Sequence, residues 1–183
     1  NIYNTISSKK QHDLYCEFFL QSTVDKLKAK YRAFDIIVAQ NVFAHINYPS
    51  QFLHYVSQLM TDTTQLYIQT SQKNMILENQ FDTVYHEHLS FFNTHSMKIL
   101  CESNQLVLNH VDEHPIHGTS YIFKIGKTAT PDSNVERILE EERHKGLYSM
   151  QTYKAYTMNC LYYKNTFSNK VIRYKLNQQP IIA

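Results

Sequence analysis

Phe34-Asp35-Ile36-Ile37-Val38-Ala39 is a short, continuous run rich in β-branched residues. A run of this kind is typical of a strand buried on both faces, as in a parallel sheet. Upstream, Thr23 to Tyr31 reads as the end of a helix, with Val24, Leu27 and Tyr31 on one face and lysines on the other. Downstream, Ser50 can cap a helix whose apolar positions are Phe52, Leu53, Val56 and Leu59. Thr64 to Thr70 alternates and reads as the next strand. Strand, helix, strand in this order suggests a βαβ crossover. Ligands of open sheets of this type sit beyond the carboxyl ends of the strands. The segment leaving the first strand is Gln40-Asn41-Val42-Phe43-Ala44-His45, so its polar groups are candidates for ligand contact. The simpler reading is that Asn41 and His45 cap the next turn.

Farther along, Thr94 opens a helix running to about Asn104, with Met97, Leu100 and Cys101 inward. Leu106 to Val111 and Tyr121 to Ile125 read as strands close enough to pair antiparallel. The linker Gly126-Lys127-Thr128-Ala129-Thr130-Pro131-Asp132 marks a candidate domain boundary, giving units 1–127 and 128–183. Ser133 and Glu136 form a capping box for a helix that runs to a Gly146 stop. A second long helical pattern covers Met150 to about Phe167, and the closing Gln-Pro-Ile-Ile-Ala reads like a strand just starting.

Glycine is scarce: the 183 residues contain 3, where ordinary usage would give about a dozen. That excludes a glycine-rich phosphate loop within this stretch. The net charge of +2 is spread along the chain, so no electrostatic footprint for nucleic acid exists. The basic clusters Lys26–Lys28–Lys30 and Lys170–Arg173–Lys175 read as solvated faces. No apolar run approaches the ~20 residues of a membrane span, and no secretory signal is visible. Cys16, Cys101 and Cys160 are widely spaced and odd in number, which fits buried free thiols in a reducing, cytoplasmic setting.

The densest chemistry lies in Asn79-Gln80-Phe81-Asp82-Thr83-Val84-Tyr85-His86-Glu87-His88. Histidine titrates near neutrality and moves protons without large tuning. A neighbouring carboxylate raises its basicity and holds its tautomer. A phenol can donate to a developing oxyanion. A second cluster comprises His110, His114 and His117, with Gly118 and Thr119 following. Tyr-His-Glu-His is not the helical zinc motif, so acid–base chemistry ranks above a metal site built from His86, His88 and His117. His110 and His114 read as plain surface residues.

Residues 79–92, Asn79 through Phe92, closely resemble the NQFDTIYHEHxSYF signature of sugar C-methyltransferases. Val38-Ala39-Gln40-Asn41-Val42-Phe43-Ala44-His45-Ile46 is similar to that family's VANNVLAHV segment, and His117-Gly118-Thr119-Ser120 to its HGGS turn. The blocks occur in the family's order, and residues 133–183 resemble the segment leading into its C-terminal domain. The resemblance implies an α/β fold: a partial Rossmann-like class I methyltransferase sheet with flanking helices, then a helical segment leading into a second α/β domain. It implies S-adenosylmethionine as cofactor and a nucleotide-linked keto-deoxysugar as substrate, deprotonated next to its ketone and methylated on carbon. His88 would be the base with Glu87 orienting it, while Tyr85 and His45 would line the sugar and steady the enolate. Gln40 and Asn41 would contact the cofactor, and His117, Gly118 and Ser120 the substrate.

The sequence departs from the family at both ends and at one turn. Zinc in the family belongs to an N-terminal cysteine module, and neither that module nor the glycine-rich cofactor loop is present, so the chain is expected to be an internal piece, inactive by itself. Thr119 replaces the second glycine of HGGS, and Tyr121-Ile122 stands where Leu-Arg usually follows. Two other functions fit the same residues: a non-catalytic relative binding sugar nucleotide or protein, and a histidine-rich metal-binding protein.

Overall fold

The computed structural model describes residues 13–71, 73–128 and 130–181. Of the closing apolar run, Ile182 and Ala183 lie outside them. Helix α1 (Gln21–Lys30) leads into strand β1 (Ile36–Gln40), helix α2 (Pro49–Ser57) and strand β2 (Gln65–Thr70). Helix α3 (Thr94–Ser103) precedes a hairpin of β3 (Val107–His114) and β4 (Ser120–Gly126). Helices α4 (Ser133–His144) and α5 (Met150–Leu176) follow. The sheet order is β1-β2-β4-β3. β1 and β2 run parallel across the α2 crossover, and β4 is antiparallel to both β2 and β3. The molecule is thus mixed α/β, with helices flanking a four-stranded sheet.

Register explains the burial. Ile37, Leu66, Ile125 and Leu108 align across the strands, as do Ala39, Ile68, Phe123 and Val111. Both rows belong to the core, which also takes Leu53 and Val56 of α2, Met97 and Cys101 of α3, and Val135, Ile138 and Leu139 of α4. Leu108 and Val111 are three apart and would point to opposite faces of a regular strand. A register shift between Leu108 and His110 inserts one residue and returns Val111 to the core face. The sequence pattern shows the strand but not this bulge.

The opposite face differs from expectation. A doubly covered strand would bury Ile36 and Val38, yet they are 61% and 62% exposed. β1 lies at the edge of the sheet among the described residues, and its outer face continues the row Val38–Tyr67–Lys124–His110. No helix among the described residues covers that row. Hydrophobicity alone cannot tell a strand covered on one face from one covered on two.

Several caps also differ. Pro49 opens α2 behind Tyr48, and the Ser50 hydroxyl donates instead to Asn104 Oδ1 at 3.0 Å. Asp132, not Ser133, caps α4 by accepting from Asn134 N and Val135 N. Asn93 and Ser96 form a reciprocal capping box on α3. α4 ends before Gly146, whose φ of +74° is the left-handed conformation a helix stop requires. α5 runs nine residues beyond the expected Phe167, to Leu176.

Beyond the linker at 126–132, α4 packs into the same core as the sheet. The tie is Glu142, only 2% exposed. Its carboxylate accepts from Thr94 N at 2.7 Å, His95 N at 3.3 Å and the Tyr148 hydroxyl at 2.8 Å. A carboxylate at the amino end of α3 satisfies free N–H groups and favours the helix dipole. Burial, then Glu142, keep the Tyr148 hydroxyl protonated well above its ordinary range. Among the cysteines, Cys101 is buried and burial pushes its thiol up to about 12, whereas Cys16 is exposed, contrary to the expectation of three buried thiols. Removing the Glu142 carboxylate strands the two backbone donors. Glu142→Ala is expected to lower the unfolding free energy by about 2–3 kcal/mol, measured by urea denaturation. Glu142→Gln, which keeps an acceptor, should lose less.

Candidate active site

A cavity of about 260 Å³ opens at the carboxyl ends of β1 and β2. It is lined by Asn41, Ala44 and His45 after β1, by Gln69, Thr70 and Ser71 at the end of β2, and by Asp82, Thr83, Tyr85 and His88 from the loop that follows. A more open hollow of about 690 Å³ lies at Tyr48, His54 and Asn104, but its lining pairs no imidazole with a phenol across a hydrogen bond.

Two backbone bonds assemble the site. Leu89 N and Ser90 N both donate to Ala44 O, at 2.9 and 3.2 Å. They pin the Tyr85–His88 loop against the 3-10 turn Phe43–His45. Phe43 anchors that turn in the core, with its ring 4.9 Å from the Phe92 ring. The His45 and His88 rings are thereby brought to 4.8 Å between centroids.

The state of His88 follows from its partners. Nδ1 lies 2.7 Å from the Thr83 carbonyl oxygen. A carbonyl can only accept, so Nδ1 carries a proton, and in the neutral ring Nε2 is then the nitrogen with the lone pair. The Tyr85 hydroxyl lies 3.2 Å from Nε2, and the two rings are 4.2 Å apart. An imidazole whose free nitrogen is Nε2 therefore sits beside a phenol in one cavity. His45 is held the same way, with Nδ1 3.0 Å from the Glu87 carbonyl.

Glu87 does not orient His88 as expected. Its carboxylate is exposed and lies 3.8 Å from His86 Nε2, while the Thr83 carbonyl holds His88. Residues 85–88 form a tight turn closed by His88 N donating to Tyr85 O at 3.0 Å, and its backbone, not adjacency, sets the direction of each side chain. Asn41 lines the cavity with a left-handed φ of +51°, whereas Gln40 is exposed at the strand end outside the lining. Gly118 has φ +78°, and a methyl group added to its Cα would meet the Gln80 side chain at 3.7 Å, an ordinary contact. The left-handed backbone, not crowding, is thus what favours glycine there. The His117 side chain lies outside the described ones. Ser120 is fully buried behind the cavity and accepts from Gln69 Nε2 at 2.7 Å. Among the described residues no group of three or more His, Cys, Asp or Glu gathers around a common metal position.

Sequence reasoning misses Thr83, Gln69 and Thr70. Thr83 acts through its backbone, which leaves no side-chain signal. Gln69 and Thr70 end a predicted strand, so the strand-end rule applied to Gln40 points to them too.

His110 is not a plain surface residue. Its Nε2 lies 2.9 Å from Asp112, and its Nδ1 bonds Asp132, the cap of α4. The Asp112 hydrogen bond, opposed by burial and joined by Asp132, raises the His110 pKa. Burial opposes but does not prevent the lowering of Asp132 by its His110 and Asn134 bonds. A raised histidine stabilises the fold fully below its unfolded pKa and loses that contribution as pH rises through the folded value. The stability advantage of the native chain over His110→Gln should therefore be full at acid pH and shrink as pH rises from about 6.5 through the raised folded value, followed by thermal unfolding.

With the geometry established, comparison with known proteins places the chain. Residues 7–111, more than half of it, match the model of the methyltransferase domain family. The C-methyltransferase NovU of Streptomyces niveus is 29% identical over 125 residues, covering 66% of this chain and 30% of NovU. The chain thus spans less than a third of that relative's length. The crystal structure of magnesium protoporphyrin IX methyltransferase (ChlM) from Synechocystis PCC 6803 with bound SAH aligns with TM-score 0.40 and 11% identity, over 52% of this chain and 46% of that one. On the match to residues 7–111, the chain belongs to the methyltransferase domain family.

Proposed function

We propose that this chain supplies the proton-transfer half of an S-adenosylmethionine-dependent C-methyltransferase acting on a nucleotide-linked keto-deoxysugar. The observation that carries the reading is His88: an imidazole with its Nδ1–H held by Thr83 and its Nε2 facing the Tyr85 hydroxyl in the cavity. Methylation on carbon needs a base for the proton next to a ketone and a donor for the oxygen that becomes negative. Methylation on oxygen or nitrogen needs less, because those atoms already carry a lone pair. The similarity to NovU, a C-methyltransferase by name, supports the same choice.

In this reading His88 Nε2 takes the proton from the carbon beside the ketone as the C–H electron pair moves into the enolate. The Tyr85 hydroxyl, which rests on Nε2 without substrate, turns to the enolate oxygen when that oxygen arrives. This frees the lone pair at the moment it is needed. His45 in its neutral form offers only an acceptor at Nε2, so it serves as a sugar contact and steadies an enolate only as the imidazolium. Asn41 would hold S-adenosylmethionine together with Gln40, because its left-handed turn brings an amide to the cavity wall at the strand end. When bound, the cofactor supplies an electrophilic methyl group. Among the described residues no helix is long and apolar enough to cross a membrane.

In the full-length protein, His88→Ala is expected to reduce carbon methylation by about 10²–10⁴-fold while S-adenosylmethionine binding by calorimetry is unchanged. Tyr85→Phe should slow the same step without altering cofactor affinity. Turnover retained in His88→Ala would remove the base assignment. Native protein that binds a nucleotide-linked keto sugar but never methylates it would favour a binding module.

A further inference from the structure

His88 takes its orientation from a carbonyl, so whatever fixes that carbonyl fixes the base. Thr83 ends the 3-10 turn Phe81–Thr83. The turn is held together from within. Thr83 N and Thr83 Oγ1 both donate to Gln80 O, at 3.3 and 2.6 Å, and Val84 N donates to Phe81 O at 3.1 Å. Yet the turn buries none of its residues. Its bond from Gln80 N to Met75 O stays within the segment that follows β2. The bonds to Ala44 O hold the far end of the loop, at Leu89 and Ser90.

Helix α5 meets the turn from outside. Tyr163 stacks on Phe81, with ring centroids 6.3 Å apart and planes at 23°. One helical turn earlier, Asn159 Nδ2 donates to Asn79 Oδ1 at 2.9 Å. Asn79 has a left-handed φ of +54°, a conformation that costs energy outside glycine and that a side-chain bond helps to keep. The residues of α5 before these two do not press on the loop. Val84 and the α5 residues Tyr153, Tyr156 and Thr157 instead line a cavity of about 420 Å³, so close packing does not fix the turn there.

Given the reading of His88 as the base, on which this step rests, we infer that Asn159 and Tyr163 are positioning residues for it. They hold the Phe81–Thr83 turn where its last carbonyl keeps a proton on His88 Nδ1. Neither side chain lines the catalytic cavity. Without that acceptor a neutral imidazole favours the proton on Nε2, the nitrogen that faces Tyr85, and the lone pair is lost from the reacting side. Unseating α5 therefore disables the base without changing a residue of the cavity.

The test uses the full-length protein with ¹⁵N-labelled histidine. The His88 ring nitrogens, assigned by their loss in His88→Gln, are read by NMR where the ring is neutral. Native protein is compared with the double variant Asn159→Ala plus Tyr163→Ala. Both positions lie on a helix that buries no residue, and alanine favours helix, so the fold is kept. The native ring should carry its proton on Nδ1, and the double variant should show a mixture of tautomers. Proton–deuterium exchange beside the ketone of a nucleotide-linked keto-deoxysugar in D2O should fall about 3- to 10-fold in kcat with KM nearly unchanged, the scale of one stacked pair and one exposed hydrogen bond. Tyr163→Phe, which keeps the ring, should match the native protein in both readouts. A double variant with the native tautomer, or with the native exchange rate, would overturn the positioning role while the base assignment stands. No exchange in the native protein would overturn the base reading, and the positioning role with it.

Discussion

The carbonyl oxygen of Ala44 accepts both Leu89 N and Ser90 N, and the arrangement of the site depends on it. Residues 85–88 form a turn closed by its own bonds, His88 N to Tyr85 O and His88 Nδ1 to Thr83 O, but those bonds do not fix the turn against the sheet. The paired bonds fasten the loop to a turn that is itself anchored by Phe43 in the core. From that attachment follows the closeness of His45 and His88, while the turn itself places the Tyr85 hydroxyl at His88 Nε2. A site built on loops gains its precision from such ties to a rigid frame.

The frame is rigid because the sheet and its helices satisfy each other. The bulge between Leu108 and His110 lets β3 present apolar side chains at the spacing the core needs. Glu142 of α4 then closes the amino end of α3, so the helix that follows the hairpin stabilises the helix that precedes it. Its charge is tolerated in the interior because its oxygens accept hydrogen bonds from two backbone N–H groups and a phenol. α5 reaches back toward the cavity rim: Asn159 bonds Asn79, and Tyr163 stacks on Phe81 at 6.3 Å. The long last helix therefore touches the loop that carries His88, although it contributes no buried residue among those described.

The division of labour between β1 and β2 is informative. Both strands deliver polar residues from their carboxyl ends to one cavity, as an open parallel pair does. The β1 end contributes Asn41, freed by a left-handed backbone, and the β2 end contributes Gln69, held by Ser120 from the antiparallel neighbour β4. Parallel pairing sets where the cavity lies, and antiparallel pairing sets how one of its walls is oriented.

By itself the sequence determined the types and order of the elements and the residues that bear the chemistry. Period-two runs at 64–70 and 121–125, helical spacing at 94–104 and the Tyr-His-Glu-His cluster all depend on neighbours within a few residues, which a linear reading contains. Tertiary structure decided the rest. Gln69 and Ser120 are 51 residues apart, and Glu142 and Thr94 are 48 apart, so no local pattern pairs them. The exposure of Ile36 and Val38 depends on what lies over the sheet, which their own hydrophobicity does not encode. The basic nitrogen of His88 was likewise decided in space: the adjacent Glu87 turned outward and a backbone carbonyl took its place, because side-chain direction in a loop follows the path of the chain and not adjacency in the sequence.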